Sequence, residues 1–257
     1  MPLVIFVIAG CDCGGGAAQD ARDPDDGGSA DAADAGPDAD LGPCPGKSYF
    51  TGDYVDWDSS ETAFLGVFEA SVSDREFPEI VDLTSPNGRT ELCVGASGER
   101  TISMLQDSYI PLTFAADQEA IAAGPFTAHG LTPSRATDLY VELGNLPPNP
   151  DTTLVVVEVR HFPSGDPVIG AAVALSQAHD GAYTRNGGGA WVSGETTTDS
   201  AQVLFANVTG AAPVDGDGGT YGSTSVTVTP PVGTTCVGPA TLPLGAGEIS
   251  TTTFACD

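Results

Sequence analysis

The chain has 257 residues and carries 35 Asp plus Glu against 8 Lys plus Arg, a formal charge of −27 that opposes binding to polyanions and sets nucleic acid aside as a partner. Thirty-three glycines, 20 prolines and abundant Thr and Val, with few long helix formers, favour strands joined by turns, so the expected fold class is all-β. At this length about two domains are expected, each able to bury a core.

The first stretch, Leu3-Val4-Ile5-Phe6-Val7-Ile8-Ala9-Gly10-Cys11, is an apolar run closed by two small residues and a cysteine. It resembles the signal of bacterial lipoproteins. The resemblance implies that residues 1–10 are a signal peptide, that Cys11 is the lipidated N-terminus, and that the chain is exported and lipid-anchored in the cell envelope, on an outer-membrane or periplasmic face. Its first partner is then the membrane itself, reached through the anchor. The run is too short to cross a bilayer, which takes about 20 residues as a helix. Asp12, directly after the cysteine, resembles the inner-membrane retention signal of enteric lipoproteins.

Residues 11–45 are Asp-, Gly- and Ala-rich, and from Gly14 to Gly42 no aromatic or β-branched residue occurs. Nothing there can be buried to offset the entropy of ordering, so a disordered acidic tether is expected. Its aspartates lack the glycine turn and terminal Glu of a calcium loop.

A first β-sandwich is expected over residues 46–145, opening with Tyr49, Phe50, Tyr54, Val55 and Trp57. Strand-like runs follow at Ala63 to Ser73, Arg89 to Gly95 and Thr101 to Leu105, with Phe64, Phe68, Ala70 and Val72 sharing one face at period two. Ser85-Pro86-Asn87-Gly88 predicts a tight hairpin turn, because Asn and Gly tolerate positive φ. Asp117 to Ala123 can form two helical turns. Thr132-Pro133 predicts a better helix, with threonine as N-cap, proline at the first helical position, an apolar stripe of Leu139, Tyr140 and Leu143, and Gly144 past the end. The run from Asn145 to Pro150, with three prolines, reads as an inter-domain linker.

A second β-sandwich is expected over residues 152–257. Its clearest strand is Leu154 to Phe162, with Val155, Val157 and Val159 on one face and Glu158 and Arg160 on the other. Later strands are Ala201 to Val208, Ser223 to Thr229 and Glu248 to Cys256. With no helix between them, antiparallel pairing across two sheets is expected. Asp215-Gly216-Asp217-Gly218-Gly219 lacks a distal Glu and reads as a solvated turn.

Six cysteines in an exported chain point to disulfides. Setting aside Cys11 for lipid and Cys13 beside it leaves Cys44, Cys93, Cys236 and Cys256. Three pairings are open to them, and nearness in the chain favours 44 with 93 and 236 with 256.

The two halves share a pattern. Phe64-Leu65-Gly66-Val67-Phe68-Glu69-Ala70 aligns with Val168-Ile169-Gly170-Ala171-Ala172-Val173-Ala174, and the segment from Thr84 to Leu92 aligns with that from Thr197 to Phe205. Thr153 to about Pro230 resembles the carboxypeptidase-regulatory-like, transthyretin-like family of β-sandwiches. The resemblance implies two tandem Ig-like, antiparallel sandwiches, and it is silent on function because the motif fixes turns and core positions.

No His-Glu-x-x-His, no folded Cys-x-x-Cys and no Gly-x-Ser-x-Gly occurs, so no catalytic residue, no metal ligand and no cofactor is assigned. His129, His161 and His179 are scattered, and His179-Asp180 reads as a solvated loop. One loop stands out as a ligand candidate: Tyr183, Arg185, Asn186 and Trp191 suit sugar or peptide contact through stacking and bidentate hydrogen bonds. Tyr183 and Trp191 equally fit two arms of a plain hairpin with Trp191 covering the core. The expected function is a non-enzymatic, membrane-tethered surface lipoprotein that binds or presents a glycan or another envelope protein. The alternative is an accessory domain pair of an envelope enzyme complex, or an uncharacterised hydrolase.

Overall fold

The computed structural model describes residues 44–60, 63–118, 121, 126–212 and 221–257. The signal peptide, Cys11, nearly all of the acidic tether and the Asp215 turn lie outside the described residues.

The described chain is strand-built apart from a ten-residue helix and helical residues at Gln118 and Ile121, where the Ile121 N–H donates to the Asp117 carbonyl at 3.0 Å. The largest sheet has ten strands. Nine follow one another in the order β11 (Trp191–Ser193), β10 (Gly181–Arg185), β12 (Gln202–Val208), β8 (Thr153–His161), β16 (Ile249–Cys256), β6 (Leu112–Ala116), β5 (Arg100–Leu105), β2 (Ser71–Asp74), β3 (Phe77–Leu83). The tenth, β14 (Cys236–Val237), pairs with the end of β16. Two three-stranded sheets complete the body: β4 (Arg89–Val94), β1 (Ser48–Asp56) and β7 (Phe126–Gly130), and β15 (Thr241–Leu244), β13 (Gly222–Thr229) and β9 (Ala172–Leu175).

The residue pattern of β8 shows how these sheets stack. Val155, Val157 and Val159 belong to a core with Val173, Val226, Leu242 and Leu244, from the β15-β13-β9 sheet. Leu154 and Val156, on the opposite face, belong to a second core with Phe50, Tyr54, Leu92 and Phe126, from the β4-β1-β7 sheet. Strands β12 and β6 divide in the same way: Val203, Phe205 and Ala115 face one core, and Leu204, Ala206 and Phe114 the other. The large sheet is therefore the middle of three layers, and the sandwiches expected over 46–145 and 152–257 share it. A strand covered on both faces reads as a continuous apolar run, as Leu154 to Val157 does.

Glu158, on the face opposite the valines, is only 2% exposed, beneath the first half. Several expectations are corrected at this level. Pairing is not antiparallel throughout, because β16 lies between β8 and β6 and runs parallel to both, and β1 runs parallel to β7. Such pairs require long crossovers, and more than 80 residues of chain here supply one between β8 and β16. Phe64 and Phe68 are exposed, while Ala70 and Val72 are buried, so the period-two face begins only at Ala70. The Ser85–Gly88 turn closes, with the Gly88 N–H donating to the Ser85 carbonyl at 2.8 Å, but it joins β3 of the large sheet to β4 of a small one. It is a corner between layers rather than a hairpin.

Two threonines hold equivalent corners. Thr84 Oγ1 donates to the Val67 carbonyl at 2.6 Å and accepts from the Ala70 N–H at 2.8 Å. Thr197 Oγ1 donates to the Val168 carbonyl and accepts from the Ala171 N–H. Glu69 and Gly170 occupy the same place in these corners, each at positive φ (55° and 86°). The internal repeat therefore aligns Val67 with Val168, three residues away from the register that matches Gly66 to Gly170. Gly66 is glycine for another reason: a Cβ there would lie 2.2 Å from the Asn87 backbone.

The helix α1 (Pro133–Glu142) starts at Thr132, whose side chain accepts from the Arg135 N–H, and buries Leu139 and Tyr140 in the first core. Beyond it the proline-rich run is pinned by Asn207. Its Oδ1 accepts from Tyr140 Oη at 3.0 Å, the Asn149 N–H at 3.1 Å and Thr152 Oγ1 at 3.3 Å. Its Nδ2 donates to the Pro147 carbonyl and to Asp180. Asn207 sits at positive φ (52°) where the β12–β8 register shifts, a conformation asparagine tolerates better than most residues.

The structure joins Cys44 to Cys93 and Cys236 to Cys256. The second pair lies directly opposite in the β14–β16 ladder, so the disulfide crosses neighbouring strands and fastens the C-terminal one.

Candidate functional site

The β10–β11 hairpin carries the four residues singled out in the sequence and forms one end of the large sheet. Its tip is built by Asn186, whose N–H donates to the Ala190 carbonyl at 2.9 Å while Oδ1 accepts from the N–H groups of Gly188 and Ala190. Gly189 supplies the positive φ that the turn needs. Asn186 is thereby occupied in holding the tip. Tyr183 is half-buried and packs against the first core.

Arg185 and Trp191 are cross-strand partners, and their side chains meet residues from the other half of the chain. Trp191, 8% exposed, stacks with Trp57, 4% exposed, at a ring separation of 6.3 Å. The half-buried Arg185 places its guanidinium carbon 4.8 Å from the Trp191 ring centre and 6.0 Å from that of Trp57. His129 on β7 meets Trp57 edge-on at 6.2 Å. Trp57 follows directly on β1, and its backbone N–H donates to the Gly130 carbonyl. The corner is thus assembled from β1, β7, β10 and β11.

The charges around it are paired, with one exception. Arg135 on α1 bridges Asp58 and Glu142, each at 2.9 Å. Arg160 holds the buried Glu158 at 2.9 Å, Gln202 Nε2 donates to the same carboxylate at 2.7 Å, and His129 Nε2 lies 3.9 Å from it. Burial works against charge on Glu158, but Arg160, His129 and the donated hydrogen bonds outweigh it and hold the carboxyl below its usual range. Burial lowers the His129 pKa despite the pull of Glu158. Arg75, Arg89, Arg100, Arg135 and Arg160 each hold a carboxylate within 4.0 Å; Arg185, among the described residues, holds none. Three buried N–H donors also meet no acceptor there: Trp57 Nε1, Trp191 Nε1 and Arg185 Nε.

The three histidines do not come together. His129 lies against Trp57 and Glu158, His161 Nδ1 is 3.0 Å from the Asp257 carbonyl, and His179 packs edge-on against Phe205. Among the described residues no group of three His, Cys, Asp or Glu side chains could hold a metal ion. Trp57 and His129 are the site residues that the sequence reading missed. The signal available for them was compositional: the chain has only two tryptophans, one in each half.

No family model matches the chain, and no curated protein matches it. Among solved structures it is similar to the Bacillus anthracis TIE protein, at 12% identity and a TM-score of 0.25, covering 82% of this chain and 34% of that one. It is also similar to GBS52, the minor pilin of Streptococcus agalactiae, at 8% identity and a TM-score of 0.27, covering 82% and 95% of the two chains. A third is a streptococcal ancillary pilin, at 10% identity and a TM-score of 0.27, covering 82% and 68%. The chain spans about a third of the first of these, and likenesses of this size carry no functional argument.

Proposed function

We propose that this protein is an exported surface lipoprotein, tethered to the membrane through Cys11, whose β body binds or presents a ligand without catalysing a reaction. The observation that carries the reading is the pair of disulfides. Bonds of this kind persist outside reducing compartments, and these two fasten Cys44, where the described chain starts, to β4 and the C-terminal strand to β14. The tether residues 11–45 would lead from the lipid to the first of them. The matching threonine corners at Thr84 and Thr197 support an internally repeated scaffold of the transthyretin-like kind. The binding part of the reading falls on the Arg185 corner, which combines a half-buried guanidinium over buried indoles with unmatched donors.

Envelope fractionation tests the tether. Cys11→Ser is expected to move the protein from the membrane to the soluble fraction and to abolish palmitate labelling. A full-length variant that stays membrane-bound overturns the lipoprotein reading. A panel of glycosides and esters tests the absence of catalysis, and turnover that disappears in His179→Ala would sink it.

A further inference from the structure

We infer that the Arg185 corner is a binding site for the carboxylate of an acidic sugar, with the guanidinium gripping the carboxylate and the indole N–H groups of Trp57 and Trp191 receiving neighbouring ring oxygens. This deepens the binding reading above and rests on it. Three observations meet at the corner.

Arg185 is the exception in a chain crowded with acids. The other five described arginines each find a carboxylate, and the acids nearest this corner are already engaged, Asp58 and Glu142 by Arg135 and Glu158 by Arg160. A guanidinium left unpaired at neutral pH retains its full capacity for a bidentate, charge-assisted grip on an incoming carboxylate. Its cation–π contact with Trp191 holds the guanidinium in place in advance, so less freedom remains to be lost on binding.

The indoles supply the second observation. Each leaves a buried N–H without an acceptor, as does the Arg185 Nε, and buried donors in folded proteins are nearly always satisfied. The missing partners are acceptors, and at least two of the donors are neutral. A free carboxylate answers the guanidinium alone. A uronic acid presents hydroxyl and ring oxygens on the carbons next to its carboxyl group and answers all three. An acidic peptide places its carboxylate on a flexible stem away from its other acceptors and fits less well.

The third observation is the overall charge of −27, which repels dense polyanions and so favours a ligand whose acidic groups are isolated.

Trp57 and Trp191 are the chain's only tryptophans, so fluorescence excited selectively in tryptophan reports on this corner. Titration with glucuronate is expected to give a saturable change in emission that glucose does not give, with sodium chloride added to constant ionic strength. Arg185→Gln is expected to raise the apparent Kd about 10- to 100-fold, as for loss of a charged hydrogen-bond pair. The two indole N–H signals in an amide-proton NMR spectrum should move together during the wild-type titration, which keeps the test independent of any variant. The absence of a saturable response to glucuronate in the wild-type chain overturns the proposal. So does a tighter response to N-acetylglutamate than to glucuronate, which would make the site a peptide site. Cys11→Ser should retain the titration and Arg185→Gln should remain membrane-bound, so failure of the ligand assignment and failure of the tethered reading are seen in different assays.

Discussion

Asn207 and Arg185 lie in the same half of the chain, and the structure treats their polar groups in opposite ways. Around Asn207 both side-chain groups are used: its carbonyl oxygen accepts three hydrogen bonds and its amide donates two, tying the proline-rich run, α1 and β12 into one node. Around Arg185 a half-buried guanidinium and two buried indoles leave three donors unmatched. A satisfied network specifies structure, while an unsatisfied one costs stability and persists where another demand maintains it. The first region marks how the fold is held, and the second is where the proposed ligand would bind.

The sharpest way to break this contrast is Asn207→Ala. It removes five hydrogen bonds and puts a less tolerant residue at positive φ, and an expected loss of about 4 kcal/mol should appear as a lower urea midpoint. A loss under about 1 kcal/mol would mean that the node does not organise the junction. Next in size is the pair Cys236→Ala with Cys256→Ala, which opens a loop closed over 20 residues and should cost about 3 kcal/mol by the chain-entropy account.

Thr84→Val and Thr197→Val each leave a carbonyl and an N–H without their partner, at about 2 kcal/mol apiece. Near-equal values would establish the two corners as energetic equivalents, and thermal or urea unfolding of both variants decides it. Arg185→Gln, by contrast, should cost about 1 kcal/mol or less, the worth of its stacking. A much larger loss would place Arg185 with the structural groups instead.

The smallest effect is expected from His129. Its folded pKa lies below the ordinary 6.5, so the unfolded chain takes up the proton first. The contribution is complete above pH 6.5 and is lost as pH falls through the folded value. His129→Gln should flatten that part of a stability–pH profile, and an unchanged slope would show that another group sets it.

Much of the local structure was legible from residue type. Thr132, Pro133 and Gly144 bound the helix because a side-chain acceptor, a preset φ and a left-handed position are properties of those residues alone. The valines of β8 announced a strand for the same kind of reason. Other features could not be read this way. Period two in β8 distinguishes two faces but does not say that both are covered, and nothing in that alternation records the burial of Glu158 beneath the first half. The glycines at 66 and 170 suggested a repeat register that hydrogen bonds from Thr84 and Thr197 move by three residues, because Gly66 answers to a neighbouring turn.

The sequence by itself determined the composition of the strands, the helix and its ends, and the hairpin that carries Arg185, since these depend on interactions within a few residues. Only the tertiary structure decided that the two halves share one sheet, that β16 runs parallel between β8 and β6, and that Trp57 lies against Trp191. The physical reason is distance along the chain. Pairings between residues so far apart in the chain are selected by how the layers exclude water together, and no local pattern records that choice.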